Sequence, residues 1–129
     1  MAENKEKPYD FTHNYGSIRG EQDLKNVQDS VNNLVKVIAD TGIYRDFKEA
    51  REKVSAEELE KIGLYKKLRL ELINRYTGED DFRAKELYRK LMLNADTRNY
   101  ILCEKRLSNL IAGVYDEIGE ELEVCPEVE

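Results

Sequence analysis

Apolar residues recur three and four positions apart along most of this chain, and this spacing constrains its fold more than any other feature. Side chains spaced in this way form one continuous stripe on one face of an α-helix. The first such stripe is nearly a heptad pattern, which favours the packing of one helix on another. It predicts a helix over residues 21–40, with apolar positions at Leu24, Val27, Val31, Leu34, Val35 and Ile38.

The same spacing predicts four further helices. They are expected over residues 43–54, 56–76, 81–93 and 97–122. The third helix has the sharpest start signal, because Ser55 and Glu58 have the spacing of a capping box.

Turn residues separate these helices. Gly42 is expected to break the chain after the first helix, and Gly78 to end the third helix in a left-handed conformation. Residues 77–80 are then a turn, and Asp96 is the expected N-cap of the last helix. No alternating apolar pattern with a hairpin turn signal occurs, so no strands are predicted.

The predicted fold is therefore all-α, a small antiparallel bundle of about five helices, two long, one medium and two short. A chain of 129 residues suits one such domain. We expect a flexible N-terminal arm over residues 1–20, a helical domain over 21–122 and an acidic tail over 123–129.

Composition limits the classes of partner and compartment. The formal net charge of −6 argues against direct binding of nucleic acid or of an anionic membrane. No apolar run reaches 18 residues, and the polar N-terminus does not resemble a signal peptide. Two cysteines are too few for a disulfide framework. The expected location is the cytoplasm.

Residues for catalysis are scarce. The single histidine, His13, lies in the predicted arm, where it cannot hold the geometry that a nucleophile needs from its base. A phosphate-binding glycine loop and a nucleophile elbow are both missing from the sequence. We therefore predict no catalytic residues, no cofactor and no enzymatic activity.

A basic cluster in the third predicted helix supports an alternative. Lys66, Lys67, Arg69 and Arg75 are candidates for a pocket that binds an acidic ligand or substrate. A solvated helix surface explains the same residues, and a local RNA contact is a third, weaker interpretation. An enclosed pocket that holds two or more of these basic groups would favour the interpretation as a ligand-binding site.

The two cysteines have different expected roles. Cys103 lies near an apolar stripe and is expected to be a buried structural thiol. Cys125, just before Pro126, is a weak candidate for a metal ligand in an assembly, since a lone thiol is poor evidence of a site.

Aromatic residues leave two questions open. Tyr9, Phe11 and Tyr15 lie in the predicted arm, which is either disordered or ordered by docking on a groove. The tyrosines on the helical stripes suit either the core or the edge of an interface.

The short second and fourth helices cannot cover all the apolar stripes of the longer ones. Leftover apolar surface usually marks an interface, so we predict a homo-oligomer, a dimer or a tetramer. The expected interface residues are Tyr44, Phe47, Leu68, Leu72, Tyr76, Ile111, Tyr115 and Ile118.

Two stretches resemble the YlbF/YmcA family. The segment from Val37 to Val54 is similar to its opening, with Tyr44, Phe47 and Ala50 at the matching positions. The second stretch is similar to the final helix of the family, with a short break after an Asn and a Glu followed by apolar spacing. It contains Leu91, Asn94, Tyr100, Glu104, Leu107, Leu110, Ile111 and Ile118. The resemblance covers roughly residues 24–122.

The resemblance implies a small helical bundle of the YheA/YmcA-like type, often dimeric or larger, in the cytoplasm of a Gram-positive-type bacterium. Such proteins resemble regulators or adaptors that act through other bacterial regulatory proteins. They are linked to competence, sporulation and biofilm control, in part with ribonuclease Y. Some members carry a Cys-rich tail that could hold an iron–sulfur centre, whereas this tail has only Cys125.

Overall fold

A computed structural model describes residues 20–124 of the chain. These residues form five α-helices: α1 (Glu21–Ala39), α2 (Gly42–Glu52), α3 (Ala56–Asn74), α4 (Gly78–Leu91) and α5 (Ala95–Glu121). The described part of the chain contains no strand. The prediction of an all-α protein with five helices is confirmed. The expectations for His13, the aromatic residues of the arm and Cys125 fall outside the described residues.

The chain divides into two units at the break between Thr41 and Gly42. The described part of the N-terminal unit is helix α1, and none of the residues of α1 is buried. Gly20 precedes the helix with a φ of 83°, a left-handed conformation that glycine adopts without steric cost. At the other end, the Thr41 hydroxyl donates to the carbonyl of Ile38 at 2.7 Å.

The C-terminal unit has one apolar core. Its buried members come from α2, α3, α4, α5 and the link between α2 and α3, and they are Ala50, Val54, Ile62, Leu91, Tyr100 and Cys103. The Phe47 ring stacks on the Tyr100 ring with 5.5 Å between centroids, and so joins α2 to α5. The core therefore depends on residues far apart in sequence.

Helices α3 and α4 form an antiparallel hairpin. The rings of Tyr65 on α3 and Tyr88 on α4 are in contact, with 5.3 Å between their centroids. Leu68 and Ala84 are buried closer to the connection between the two helices. Only residues 75–77 separate the two helices, a length that is common in antiparallel helix hairpins.

Two predicted helix boundaries are wrong, and side-chain caps explain both. Gly78 does not end α3, because the Thr77 hydroxyl accepts from the backbone N–H of Asp80 and starts α4 at Gly78. Asp96 is not the N-cap of α5. The Asn94 side chain accepts from the N–H of Thr97 at 3.0 Å, so α5 begins at Ala95.

The predicted cap of α3 is confirmed in its first half. The Ser55 hydroxyl accepts from the N–H of Glu58 at 3.1 Å. The Glu58 carboxylate does not complete the box, since one oxygen accepts from the Thr97 hydroxyl at 2.7 Å. Its other oxygen lies 3.4 Å from Lys61. The Glu58 side chain, which the capping-box pattern assigned to the start of α3, therefore links α3 to α5.

Helices α3 and α5 run in the same direction along this contact. The Glu58–Thr97 pair is followed two turns later by an ion pair between Lys66 and Glu104, with 2.6 Å between Nζ and Oε2. Helix α5 packs most closely on α2, where the Phe47 ring stacks on the Tyr100 ring.

Candidate functional site

The basic cluster of α3 is divided between different environments. Lys66 is held by the carboxylate of Glu104. Lys67 and Arg69 are exposed on the helix surface. Arg75 follows the end of α3 and lines an open groove at the junction with α4. This groove does not include the other three cluster members, so it lacks the arrangement that would favour an anionic ligand pocket.

The groove at the α3–α4 junction has a volume of about 440 Å³. Beside Arg75 it is lined by the carboxylates of Glu71, Glu79 and Asp80 and by Asn74 and Thr77. Acidic residues outnumber the one basic residue, and Asp80 also pairs with Arg83 at 3.4 Å. Its charge therefore opposes binding of the acidic ligand expected for the cluster.

A second groove of about 240 Å³ lies between α2 and α5. Its lining mixes both signs of charge and contains Asp46, Glu49, Ala50, Lys53, Asn99, Cys103 and Arg106. The Cys103 thiol is buried at 4% exposure and is 3.9 Å from the Asn99 side-chain oxygen. The expectation of a buried thiol at Cys103 is confirmed. The groove contains no histidine or serine that could act with the thiol as a catalytic pair.

The carboxylates do not assemble a metal centre within residues 20–124. No group of three or more His, Cys, Asp or Glu side chains in this range has the placement to hold an ion. Several carboxylates instead pair with a basic residue one helical turn away. The clearest is Asp81, which accepts from Lys85 at 3.0 Å and, mainly through this hydrogen bond, raises the pKa of that exposed amine.

Exposed apolar side chains are the most distinctive feature of the C-terminal unit. On the first half of α5, Thr97, Tyr100 and Cys103 are buried. On the second half, side chains that continue the same helical face are exposed, namely Ile111, Tyr115, Ile118 and Leu122 at 51–69%. The buried side chains of Tyr100 and Cys103 lie beside Phe47 and Ala50 of α2. The apolar face is therefore longer than the part of the chain that covers it.

Helix α3 also carries apolar residues on more than its buried face. Ile62 and Leu68 are buried, whereas Leu64, Leu70 and Ile73 are 46%, 63% and 76% exposed. A helix that is apolar on several faces is typical of one that is covered on several sides. The exposed residues occur every third position with Lys67 between Leu64 and Leu70.

The predicted interface residues divide into two groups. Leu68 is buried and Phe47 packs against the apolar core, while Tyr44 and Leu72 are half-buried. The other four are exposed at 51–68% and are Tyr76, Ile111, Tyr115 and Ile118. The sequence prediction missed Leu70, Ile73 and Leu122 as exposed apolar residues. Leu70 lies off the main apolar stripe of its helix, and this position could have indicated that its side chain is exposed.

None of the helices in residues 20–124 has the length and apolar character to cross a membrane.

Comparison with known proteins places this helical chain among bacterial relatives. A family model described as "Control of competence regulator ComK, YlbF/YmcA" matches residues 27–123. The chain belongs to the YlbF/YmcA family. This confirms the resemblance seen in the stretches around Tyr44 and Glu104.

Three similar bacterial proteins are described as UPF0342 proteins. A UPF0342 protein of Symbiobacterium thermophilum is 30% identical over 106 residues, covering 74% of this chain and 93% of the relative. A UPF0342 protein of Caldicellulosiruptor bescii is 27% identical and covers 81% and 95%. That of Caldicellulosiruptor saccharolyticus is 26% identical and covers 81% and 94%. No solved structure matches the chain significantly.

Proposed function

We propose that this member of the YlbF/YmcA family is a non-enzymatic regulator that acts by self-association and by binding other regulatory proteins. The observation that carries the proposal is the apolar surface on the second half of α5 and on α3. Tyr115, Ile118 and Leu122 are each more than half exposed, although all three continue a face that is buried earlier in the helix. Apolar surface of this extent commonly marks a protein interface.

Helix α1 gives independent support. Its nearly heptad stripe contains Val27, Val31 and Val35, which are 50%, 39% and 58% exposed, and Val37 beside it is 54% exposed. A stripe with this spacing binds a partner helix by inserting its side chains between those of the partner.

The regulatory part of the proposal rests on the family. Its description names the control of the competence regulator ComK. We propose that the partners are bacterial proteins of developmental control or RNA processing, and that the protein works in the cytoplasm.

Solution mass tests the self-association. Light scattering behind size exclusion is measured from about 1 to 100 µM, a range that brackets the dissociation constants of most transient interfaces. The expected result is a dimer or tetramer whose fraction rises with concentration. A mass of 15.1 kDa, that of one chain, across the whole range would contradict the proposal.

A deletion strain tests the regulatory role. The gene is removed from its source bacterium, and transcript ends and competence are measured with and without a plasmid copy. We expect the wild-type copy to restore both, and a copy with Tyr115→Asp and Ile118→Asp to fail while its protein level remains equal. An unchanged deletion strain would contradict the regulatory role.

A further inference from the structure

The second half of α5 combines exposed apolar side chains with charge of one sign. Four apolar side chains that follow one another at helical spacing are 51–69% exposed, and we call them the α5 face: Ile111, Tyr115, Ile118 and Leu122. Between Leu107 and Val124 no residue is basic. The acidic residues of this stretch are Asp116, Glu117, Glu120, Glu121 and Glu123.

The α5 face has a shape that another helix fits. It extends from Ile111 to Leu122, which is roughly 16 Å along the helix axis, or about three turns. Side chains at spacings of three and four form a ridge that packs into the groove between the side chains of a partner helix. An amphipathic helix of about three to four turns would therefore cover the α5 face.

Two carboxylates line one edge of the α5 face. Glu121 is three positions after Ile118 and four after Glu117, so both carboxylates lie on the same side of the apolar stripe. Both are exposed, and neither has an ion-pair partner in the described part of the chain. Glu121 also lies in the last turn of α5, which has no basic residue, and the helix dipole disfavours negative charge there. A cation placed along this edge would be favoured by the carboxylates and by the dipole.

The apolar faces of this chain are poorly matched to that edge. Helix α1 carries three acidic residues against two basic ones. On α3, Glu60 is four positions before Leu64 and Glu71 is four after Lys67, so acidic side chains offset the basic ones. A second α5 face would bring two sets of carboxylates together, and opposed like charges disfavour association. The charge of the α5 face is better matched by a different, basic protein.

We propose that the α5 face binds an amphipathic helix of another protein, one that carries lysine or arginine beside its apolar stripe. The apolar side chains of that helix pack between Tyr115, Ile118 and Leu122, and its basic side chains pair with Glu117 and Glu121. This inference rests on the proposed binding of other regulatory proteins and states the chemistry of the partner. It leaves the apolar faces of α1 and α3 for self-association.

Synthetic peptides provide a defined probe of this preference. Three fluorescein-labelled helical peptides of about 18 residues share one leucine stripe at heptad positions, and the residues beside the stripe are all lysine, all glutamine or all glutamate. Fluorescence anisotropy measures their binding to the full-length protein. We expect the lysine peptide to bind about tenfold more tightly than the glutamine peptide, and the glutamate peptide to bind least tightly. The preference for lysine should decrease as salt is raised from about 0.05 to 0.5 M.

Substitutions in the protein locate the contact. Glu117→Gln with Glu121→Gln should weaken binding of the lysine peptide about threefold or more and leave the glutamine peptide unchanged, because only ion pairs are lost. The matched control, Glu57→Gln with Glu60→Gln, removes the same charge from exposed positions at the start of α3 and should bind like the wild type. Ile118→Ser should weaken both peptides, since it removes apolar contact. Circular dichroism verifies that all variants have equal helix content.

The outcomes separate this partner from self-association. Equal affinities for the lysine and glutamine peptides would overturn the charge preference. Equal weakening by the α3 control would show a non-specific attraction to an acidic chain and overturn the site. If no peptide binds, and Ile118→Ser is a monomer where light scattering shows a wild-type dimer, the occupant is a second copy, so this inference fails and self-association stands. If the lysine peptide binds as expected while the wild type stays a monomer, this inference stands and self-association fails.

Discussion

The hydroxyl of Thr97 donates a hydrogen bond of 2.7 Å to the Glu58 carboxylate, across 39 positions of sequence. Thr97 has no exposed surface, so its hydroxyl cannot exchange this partner for water. A buried hydroxyl without a partner would be destabilising. The contact fixes the start of α5 against the start of α3, and with the Lys66–Glu104 pair it sets the register of the two helices.

Thr97→Val should destabilise the protein by about 1–3 kcal/mol, because it keeps the shape of the side chain and removes the donor to a carboxylate. Urea unfolding followed by circular dichroism measures the change. Glu58→Gln is the matched variant, since its amide oxygen still accepts the bond, and it should cost less. Equal stability of Thr97→Val and the wild type would show that the contact contributes nothing.

The start of α5 offers a direct comparison of two candidate caps. Asn94→Ala removes the acceptor of the Thr97 N–H and should cost about 1 kcal/mol. Asp96 is exposed in the first turn and contributes only through the helix dipole, so Asp96→Ala should cost a few tenths of a kcal/mol. Thermal unfolding of the two variants gives the order. A larger loss for Asp96→Ala would contradict the observed cap.

Two leucines near the end of α4 differ sharply in burial. Leu91 is 1% exposed and Leu93 is 72% exposed. Leu91→Ala leaves a cavity in the core and should cost about 2–5 kcal/mol. Leu93→Ala should change stability by less than about 0.5 kcal/mol. Denaturant unfolding at one protein concentration compares them. Similar losses of unfolding free energy in the two variants would show that Leu91 is not buried in the core.

Burial should also protect the Cys103 thiol from modification. In a Cys125→Ser variant, Cys103 is the one remaining cysteine of the chain. We expect it to react with a thiol reagent at least about tenfold more slowly in buffer than in denaturant, because a buried thiol is inert. Mass spectrometry follows the added label, and Leu102→Cys in the same background provides an exposed control on α5. Equal labelling rates of Cys103 and of the introduced cysteine in the folded proteins would contradict the burial of Cys103.

Local sequence determined much of this protein. Spacing of apolar residues gave five helices, because each helix that packs on one side must repeat its apolar residues at the helical period. Ser55 marked the start of α3 because a hydroxyl three residues before a free N–H caps it without help from elsewhere. Family membership was also evident from the pattern around Tyr44, Phe47 and Ala50.

Tertiary structure decided features that the helical spacing of apolar residues does not specify. Thr77 and Asn94 cap α4 and α5, although Gly78 and Asp96 were equally reasonable boundary residues, because the choice depends on which side chain faces the free N–H groups. The Glu58 carboxylate accepts from the Thr97 hydroxyl instead of completing the capping box, and no local pattern identifies Thr97 as its partner.

The same limit applies to the interaction surface. An apolar stripe predicts that a helix face is covered, but the stripe is the same whether the cover comes from its own chain or another. Leu68 and Ile118 both fit their stripes, yet Leu68 is buried and Ile118 is half exposed. The difference arises because other elements of the chain cover α3 at Leu68 and leave α5 exposed at Ile118, and the spacing of apolar residues does not encode where that cover ends.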